Sequence, residues 1–426
     1  MDHAEALHKL QALGQESLLR FWDRLNPSQK QHLLQQIEAL DGPLFREQQA
    51  LVKQGVQHPL EPLSPIDNIP KSGDPADIAH GKRLLTEGKA GCIVVAGGQG
   101  TRLKFDGPKG LFPVSIVKHK SLFQLFCEKT LAASQQAGVP LPIAFMTSPQ
   151  NHTATLHYLE ENRYFGLTTS QVSFFTQSEL PFLDTQGNLF LEEMDRVAEG
   201  PDGNGSTLKN FYDSGLWQKW QKQGIQFINY VLIDNALADP FDANLIGFHA
   251  RQGNEITVKC TPRRDAEEKV GVLVRKNQAT QVVEYTEMPE EEKTARQPDG
   301  SLKYLAANLS LFCFSLNFLP KIDYSRLPWH LAFKATKPAP TMAWKFEKFI
   351  FDILPLASKV DLLLYPRNLC FAPLKNADDL ASVQQALQEY DRLAISSITG
   401  LPAPSSPFEL AQEFHYPTPS LLAKWS

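Results

Sequence analysis

Between Gly91 and Cys260 the chain alternates short apolar runs with segments of helix length, a pattern that few folds accept. Strands are predicted at 91–96, 142–147, 172–177, 227–233 and 255–260, and helices at 121–137, 151–162, 207–223 and 239–251. Strands spaced by helices build a mainly parallel sheet with helices on both faces, so the fold class is α/β and Rossmann-like. In such sheets ligands bind beyond the carboxyl ends of the strands. Two strand ends here carry polar sequence of the right kind. Ile93–Ala96 delivers a glycine-rich loop, and Tyr230–Ile233 delivers Asp234.

The loop reads Val94-Val95-Ala96-Gly97-Gly98-Gln99-Gly100-Thr101-Arg102 and is closed by Pro108-Lys109. Glycine has no Cβ, so such a loop can curve tightly and present consecutive backbone N–H groups to an anion. Arg102 brings a planar fork that holds phosphate oxygens, and Lys109 adds a point charge. A surface turn with two solvated cations is the plain alternative. Crowding of Gly, Thr, Arg and Lys at a strand end favours anion binding instead. The Walker loop is excluded because Gly100 is followed by Thr101-Arg102 rather than Lys-Ser/Thr. The dinucleotide loop G-x-G-x-x-G is excluded because Leu103 stands where its third glycine belongs. Asp234 ends an apolar strand, where a carboxylate is costly unless it meets a cation. It reads either as a metal ligand or as a loop-capping Asp.

Bulk properties narrow the class. At 426 residues two or three domains are expected, and 42% hydrophobic with 21% charged residues is ordinary for a globular chain. A net charge of −5 argues against nucleic acid as a partner. The longest apolar runs, Phe227 to Ile233 and Leu309 to Leu316, fall far short of a membrane span. The start Met-Asp-His-Ala-Glu lacks the layout of a signal peptide, and the five scattered cysteines read as buried free thiols. A cytoplasmic enzyme that engages neither nucleic acid nor membrane is expected.

Residues 1 to 56 read as helices, with a break at Asn26-Pro27-Ser28 and Ser28 as the cap of the helix that follows. A proline-dotted linker from Pro59 to Pro75 leads to a helix over Ile78–Lys89. These segments form an expected N-terminal helical region, 1–88, a scaffold packed against a catalytic domain at 89–375. Within that domain, 255–320 is strand-like with a charged, looping insert at Pro289–Gly300, and an apolar-faced helix is predicted over Trp344–Ala357. A short segment, 376–426, holds a helix over Asn376–Leu393 and a proline- and serine-rich tail.

The glycine loop resembles the nucleotidyltransferase loop of the UDP-sugar pyrophosphorylases, and the chain is most similar to their UDP-N-acetylhexosamine branch. Further matching segments are Pro201-Asp202-Gly203-Asn204-Gly205, Leu232-Ile233-Asp234-Asn235, Lys269-Val270-Gly271-Val272, Val283-Glu284-Tyr285, Ala307-Asn308, Lys345 through Asp352 and Pro373-Leu374-Lys375-Asn376. They run in the family's order. The resemblance implies a GT-A-like nucleotidyltransferase fold and in-line attack of a sugar 1-phosphate on the α-phosphorus of UTP, releasing pyrophosphate. It implies Mg²⁺ as cofactor, with Asp234 as its ligand and as part of the nucleotide site. Ala96, Gly97, Gly98, Gln99, Gly100 and Thr101 would hold the nucleotide, with Gly97, Gly98, Gly100 and Thr101 giving backbone or hydroxyl donors to the β- and γ-phosphates. Arg102, Lys109 and Lys375 would be the catalytic cations, and Lys345 either a further phosphate contact or the polar face of its helix. Gln177, Gly203 and Asn204 would read uracil, while Gly271, Glu284 and Asn308 would hold the sugar.

Two departures stand out. Lys104 replaces a glycine common after Gly-Thr-Arg-Leu, and Ser206 replaces the last glycine of Gly-Asn-Gly-Gly, where it could narrow the base or sugar pocket. The absence of hexapeptide repeats weighs against the UDP-glucose branch. UTP and a hexose or hexosamine 1-phosphate are the implied partners of a monomer or homodimer. N-acetylglucosamine 1-phosphate is the expected acceptor, with glucose 1-phosphate or a broad sugar range as alternatives. A UDP-sugar-dependent glycosyltransferase and a non-enzymatic nucleotide-sugar sensor are disfavoured. The Gly-Thr-Arg loop with Pro-Lys suits a triphosphate leaving group, and a sensor would be expected to lose Arg102, Lys109 or Asp234.

Overall fold

The computed structural model describes residues 1–55, 62–336 and 342–425, which pack as two units. The larger unit comprises Glu61–Gln177, Thr207–Ser325 and Ile350–Ser426; the smaller comprises Met1–Leu60, Ser178–Ser206 and Arg326–Phe349. Residues 178–206 and 326–349, which the sequence places inside one catalytic domain, thus pack with the N-terminal helices. The first residues of the expected linker, from Pro59, lie outside the described residues.

The larger unit is built on a nine-stranded sheet. Its strands are β1 (Ala90–Val95), β2 (Ile143–Thr147), β3 (Val172–Thr176), β4 (Phe227–Leu232), β5 (Ile256–Pro262), β6 (Val272–Lys276), β7 (Ala279–Val283), β8 (Ala306–Ser315) and β9 (Val360–Leu364). The order runs β7-β6-β8-β4-β1-β2-β3, with β5 also paired to β8, and β9 to β5. The neighbours β4, β1, β2 and β3 are all parallel, as are β5 and β9, whereas β8 runs antiparallel to β4, β5 and β6. Cys92-Ile93-Val94 and Ile143 to Met146 are fully buried. A strand covered on both faces reads as a continuous apolar run, which is why the sequence revealed these strands to within a residue or two.

Helices that flank this sheet include α1 (Pro75–Thr86), α2 (Leu122–Ala137), α3 (His152–Glu161), α4 (Ala243–Gln252) and α5 (Leu380–Thr399). Helices α1 and α4 touch through glycines. A Cβ on Gly81 would lie 1.8 Å from the Ala243 carbonyl oxygen, and one on Gly247 would lie 1.9 Å from that of Asp77. All five cysteines are buried and free. The tail docks within this unit: the Tyr416 hydroxyl donates to the half-buried Asp239 carboxylate, and His415 pairs with Asp391 at 2.8 Å.

The smaller unit gathers helices His3–Leu13, Pro27–Ala39 and Gly42–Gln54 around Leu10, Leu33, Ile37 and Phe45, with Leu183, Leu189 and Phe346 in the same core. Its strands His330–Ala335 and Met342–Glu347 pair antiparallel.

Several sequence expectations need correction. The segment over Trp344–Ala357 is not one helix: Met342–Glu347 is a strand, and Ile350–Leu356 forms 3₁₀ turns. Trp344-Lys345-Phe346-Glu347 alternates apolar and polar with period two, a strand signal that the neighbouring Phe349, Ile350 and Phe351 blurred. Segment 207–223 is two helices, Thr207–Asp213 and Leu216–Lys222, separated at Ser214-Gly215. The cap of Pro27–Ala39 is Asn26, not Ser28; its side chain accepts from the Gln29 N–H, with Pro27 at the first helical position. The helix expected over Ile78–Lys89 runs over Pro75–Thr86 with Asp74 as its cap, and the insert Pro289–Gly300 contains a short helix, Glu290–Thr294.

Gly81→Ala or Gly247→Ala should force α1 and α4 apart and lower stability by about 1–3 kcal/mol, the usual cost of overpacking. Urea denaturation of each variant measures this, and unchanged midpoints would show that the two helices can part freely.

Candidate active site

The glycine loop leaves β1 at the carboxyl edge of the sheet. The Ala96 N–H still donates to the Met146 carbonyl at 2.7 Å. Beyond it, the N–H groups of Gly97, Gly98, Gln99 and Thr101 donate to no protein acceptor among the described residues. Orphan donors at a strand end are unusual in a folded chain and suit an anion. Gly100 behaves differently from the expectation. Its N–H donates to the Gly107 carbonyl at 2.8 Å, which removes it from the set of phosphate donors. Gly100 is small for a packing reason: a Cβ there would lie 2.8 Å from the Phe105 ring and 2.9 Å from the Phe105 carbonyl oxygen. The bridge between Gln99 and Pro108 then folds the loop back, with the Lys109 N–H donating to Gly98 at 3.0 Å.

Asn151 braces this loop and was not singled out from the sequence. Only 1% exposed, its amide donates to the carbonyls of Ala96 at 2.9 Å and Gly98 at 3.4 Å while accepting from the Ser148 N–H at 2.8 Å. Gln177, at the end of β3, sits against the same loop: a Cβ on Gly97 would lie 2.6 Å from its Oε1. Arg102 is exposed with no partner among the described residues, and Lys104 is likewise exposed, in the left-handed region at φ 56°.

Lys109 and Asp234 meet. Their Nζ and Oδ2 are 3.6 Å apart, with side chains 9% and 20% exposed, so the cation expected from the cost of that carboxylate is Lys109. The turn after Asp234 is held from both sides. On one side Lys129 of α2, almost fully buried, donates to the carbonyls of Ala236 and Ala238 at 2.8 Å each. On the other, the Leu374 N–H donates to the Asp234 carbonyl at 2.8 Å, and Asn235 bridges Pro373. Lys375 therefore leaves the chain one residue beyond a direct bond to Asp234. Its side chain is exposed, and its N–H donates to the Asp379 carboxylate at 2.8 Å.

The three expected sugar residues also converge. The Asn308 N–H donates to the Gly271 carbonyl at 2.8 Å, and a Cβ on Gly271 would lie 3.0 Å from Glu284 Oε1. Asn308 begins the bulge of β8, where Ser310 has φ 53° and donates its N–H to Asn308 Oδ1 at 3.1 Å. A bulge re-aims a strand-end side chain, and here it fixes that amide. Nearby, Glu268 pairs with Arg367, accepts the Arg264 N–H at 2.8 Å, and lends its carbonyl to the Val270 N–H. Lys375, Lys269, Arg264 and Arg367 line one cavity of about 630 Å³.

Gly203 and Asn204 belong to the smaller unit, where their loop is built against Lys348. Gly203 has φ 87°, and a Cβ there would lie 2.3 Å from the Lys348 carbonyl oxygen, so the position tolerates no side chain. Ser206 donates to the Asp202 carboxylate at 2.9 Å, beside Ser178 at 2.8 Å, which gives its hydroxyl a partner within the loop. Lys345 lies on a strand of this unit and pairs with Glu347 at 2.9 Å.

No cluster of three or more His, Cys, Asp or Glu that could hold a metal occurs among the described residues. A lone Asp234 does not make a preformed cage, but it fits Mg²⁺, which keeps several waters and commonly shares one carboxylate with substrate phosphates.

An anion loop at the end of β1 and an acid at the end of β4, on this sheet, define a nucleotidyltransferase. The chain belongs to the UTP–glucose-1-phosphate uridylyltransferase family, whose model matches residues 66–397. It is 32% identical to the UDP-N-acetylhexosamine pyrophosphorylase-like protein 1 of Xenopus tropicalis, over 86% of this chain and 78% of that one. It is 31% identical to the UDP-N-acetylglucosamine diphosphorylase 2 of Arabidopsis thaliana, over 88% and 80%. Among solved structures, the UDP-N-acetylglucosamine pyrophosphorylase of Trypanosoma brucei, crystallised with an inhibitor, superposes with a TM-score of 0.81 at 27% identity, over 94% of this chain and 87% of that one.

Burial pushes the Lys129 ammonium down from 10.5 to about 8, with Asp239 pulling the other way. Between those values the unfolded chain holds the proton and the folded chain does not, so stability contributed by this group rises as pH rises from about 8 to 10.5. Lys129→Met should remove that rise in urea titrations across the window; an unchanged slope would assign it to other groups.

Proposed function

We propose that this chain is a uridylyltransferase that joins UTP to N-acetylglucosamine 1-phosphate, or a related hexosamine 1-phosphate, giving UDP-N-acetylglucosamine and pyrophosphate. One observation carries the reading: orphan loop N–H groups and the Lys109–Asp234 pair stand at the ends of the parallel strands β1 and β4. The names of the relatives above support the hexosamine over glucose.

Both substrates are anions, so the site must offset their repulsion and hold them in line; positioning and electrostatics suffice without a protein nucleophile. The N–H groups of Gly97, Gly98, Gln99 and Thr101 would receive the β- and γ-phosphates. Arg102 would follow the departing pyrophosphate, its exposed guanidinium being uncommitted among the described residues. Lys109 would leave part of its pairing with Asp234 to meet charge accumulating at the α-phosphate. Mg²⁺, held by Asp234 together with the nucleotide, would supply charge neutralisation there. Lys375 would approach the phosphates from the segment hydrogen-bonded to Asp234. Gln177, Gly203 and Asn204 are proposed to read the uracil edge, a donor–acceptor pattern that amides match. Gly271, Glu284 and Asn308 are proposed to hold the sugar, Glu284 accepting from hydroxyls and Asn308 bonding a hydroxyl and the N-acetyl group. No described helix is long and apolar enough to cross a membrane. The cytoplasm is the proposed compartment, supported by five free, buried cysteines.

Lys109→Ala and Asp234→Ala should each cut pyrophosphate release from UTP and N-acetylglucosamine 1-phosphate by at least ~100-fold, the scale of a lost transition-state charge contact. Their melting temperatures should stay near that of the parent. Near-normal turnover in either variant would overturn these roles, and a panel of sugar 1-phosphates would rank the hexosamine against glucose.

A further inference from the structure

Asn235 is buried, 2% exposed. Both ends of its amide are used. Nδ2 donates to the Cys370 carbonyl at 2.8 Å, and Oδ1 accepts the Ala372 N–H at 2.8 Å. The backbone repeats the connection, with the Ala236 N–H donating to Ala372 at 3.2 Å and Leu374 donating to Asp234 at 2.8 Å. The residues so joined are 135 and 137 positions apart in sequence. Residues 370–374 are an irregular segment between the 3₁₀ turn Arg367–Leu369 and the cap of α5, without sheet partners other than this bridge among the described residues.

We infer that Asn235 is a positioning residue: a two-headed amide clip that fixes the segment carrying Lys375 against the strand end carrying Asp234. This rests on reading Asp234 and Lys375 as groups that meet the phosphates. A primary amide suits the task because it alone among small side chains offers a donor and an acceptor in one plane. Asp at this site would keep the bond to Ala372 but turn an oxygen toward the Cys370 carbonyl. Ala would leave both buried groups unpaired, a state that folded chains avoid. With the clip gone, Lys375 keeps its charge but loses its fixed distance to the reacting phosphates. Rate should then fall more than affinity, since transition-state contacts need placement within fractions of an ångström.

The test is a double-mutant cycle on the full chain with Mg²⁺, UTP and N-acetylglucosamine 1-phosphate, reading pyrophosphate release for the parent, Asn235→Ala, Lys375→Ala and the double variant. Melting curves check that each is folded. Asn235→Ala should lower kcat ~10-fold or more with KM for UTP within ~3-fold, and Lys375→Ala should cost ~100-fold in the parent but under ~10-fold beside Asn235→Ala, because coupled residues are not additive. If Asn235→Ala does not fold, the same cycle run with Asn235→Asp, which keeps one of the two bonds, should show the same direction of coupling. Equal fold-losses for Lys375→Ala in both backgrounds would overturn the inference, leaving Asn235 a purely structural residue. Undiminished activity of Lys375→Ala in the parent would also overturn it. The uridylyltransferase reading would then stand or fall separately, on whether Lys109→Ala and Asp234→Ala lose activity.

Discussion

At the mouth of the parallel strands, the ammonium of Lys109 and the carboxylate of Asp234 lie 3.6 Å apart, each offsetting part of the other's cost of leaving water. Lys109 arrives from the loop after β1 and Asp234 from the end of β4, so the pair exists only because those strands are parallel neighbours in register, Val95 beside Leu232. A spacing of 3.6 Å is looser than a charge-assisted hydrogen bond. The pair is thus electrostatically balanced without being locked.

Around it the chain spends its polar atoms on holding backbone. Asn151 grips the first turn of the loop, Lys129 the turn beyond Asp234, and Asn235 the segment before Lys375. Each is buried, and each bonds mainly to main-chain groups rather than to side chains that would touch substrate. The strand-end N–H groups of Gly97, Gly98, Gln99 and Thr101 are left without protein acceptors among the described residues. The bulge in β8 does comparable work for Asn308, tying that amide to Ser310.

Much of this was legible in the linear chain. The buried parallel strands are continuous apolar runs, and their ends carry Gly-Gly-Gln-Gly-Thr-Arg and Asp-Asn, so both the sheet and its functional edge could be read. Other parts were not. Trp344 to Glu347 was misread because the apolar Phe349-Ile350-Phe351 that follows continues a period-two stretch into an apparent helical stripe. Gly100 looked like a phosphate donor among its neighbours, and its N–H turned out to close the loop on Gly107. Asn151 was not singled out, and Asn235 was read only as part of the Asp-Asn strand end, with nothing to mark the partners of its side chain. An asparagine after a strand is ordinary turn chemistry, and the carbonyls these two hold lie 55 and 135 residues away.

Residue order alone was enough to set the alternation of strand and helix and the chemistry gathered at each strand end, because burial periodicity and glycine geometry act over a few neighbours. It could not say which loop N–H groups stay free, that residues 178–206 and 326–349 pack with the N-terminal helices, or that the Asn235 amide bonds Cys370 and Ala372 in the segment before Lys375. Those outcomes depend on pairings between segments far apart in the chain. Hydrogen-bond partners are allotted only once the backbone has closed around them, and no local pattern encodes that allotment.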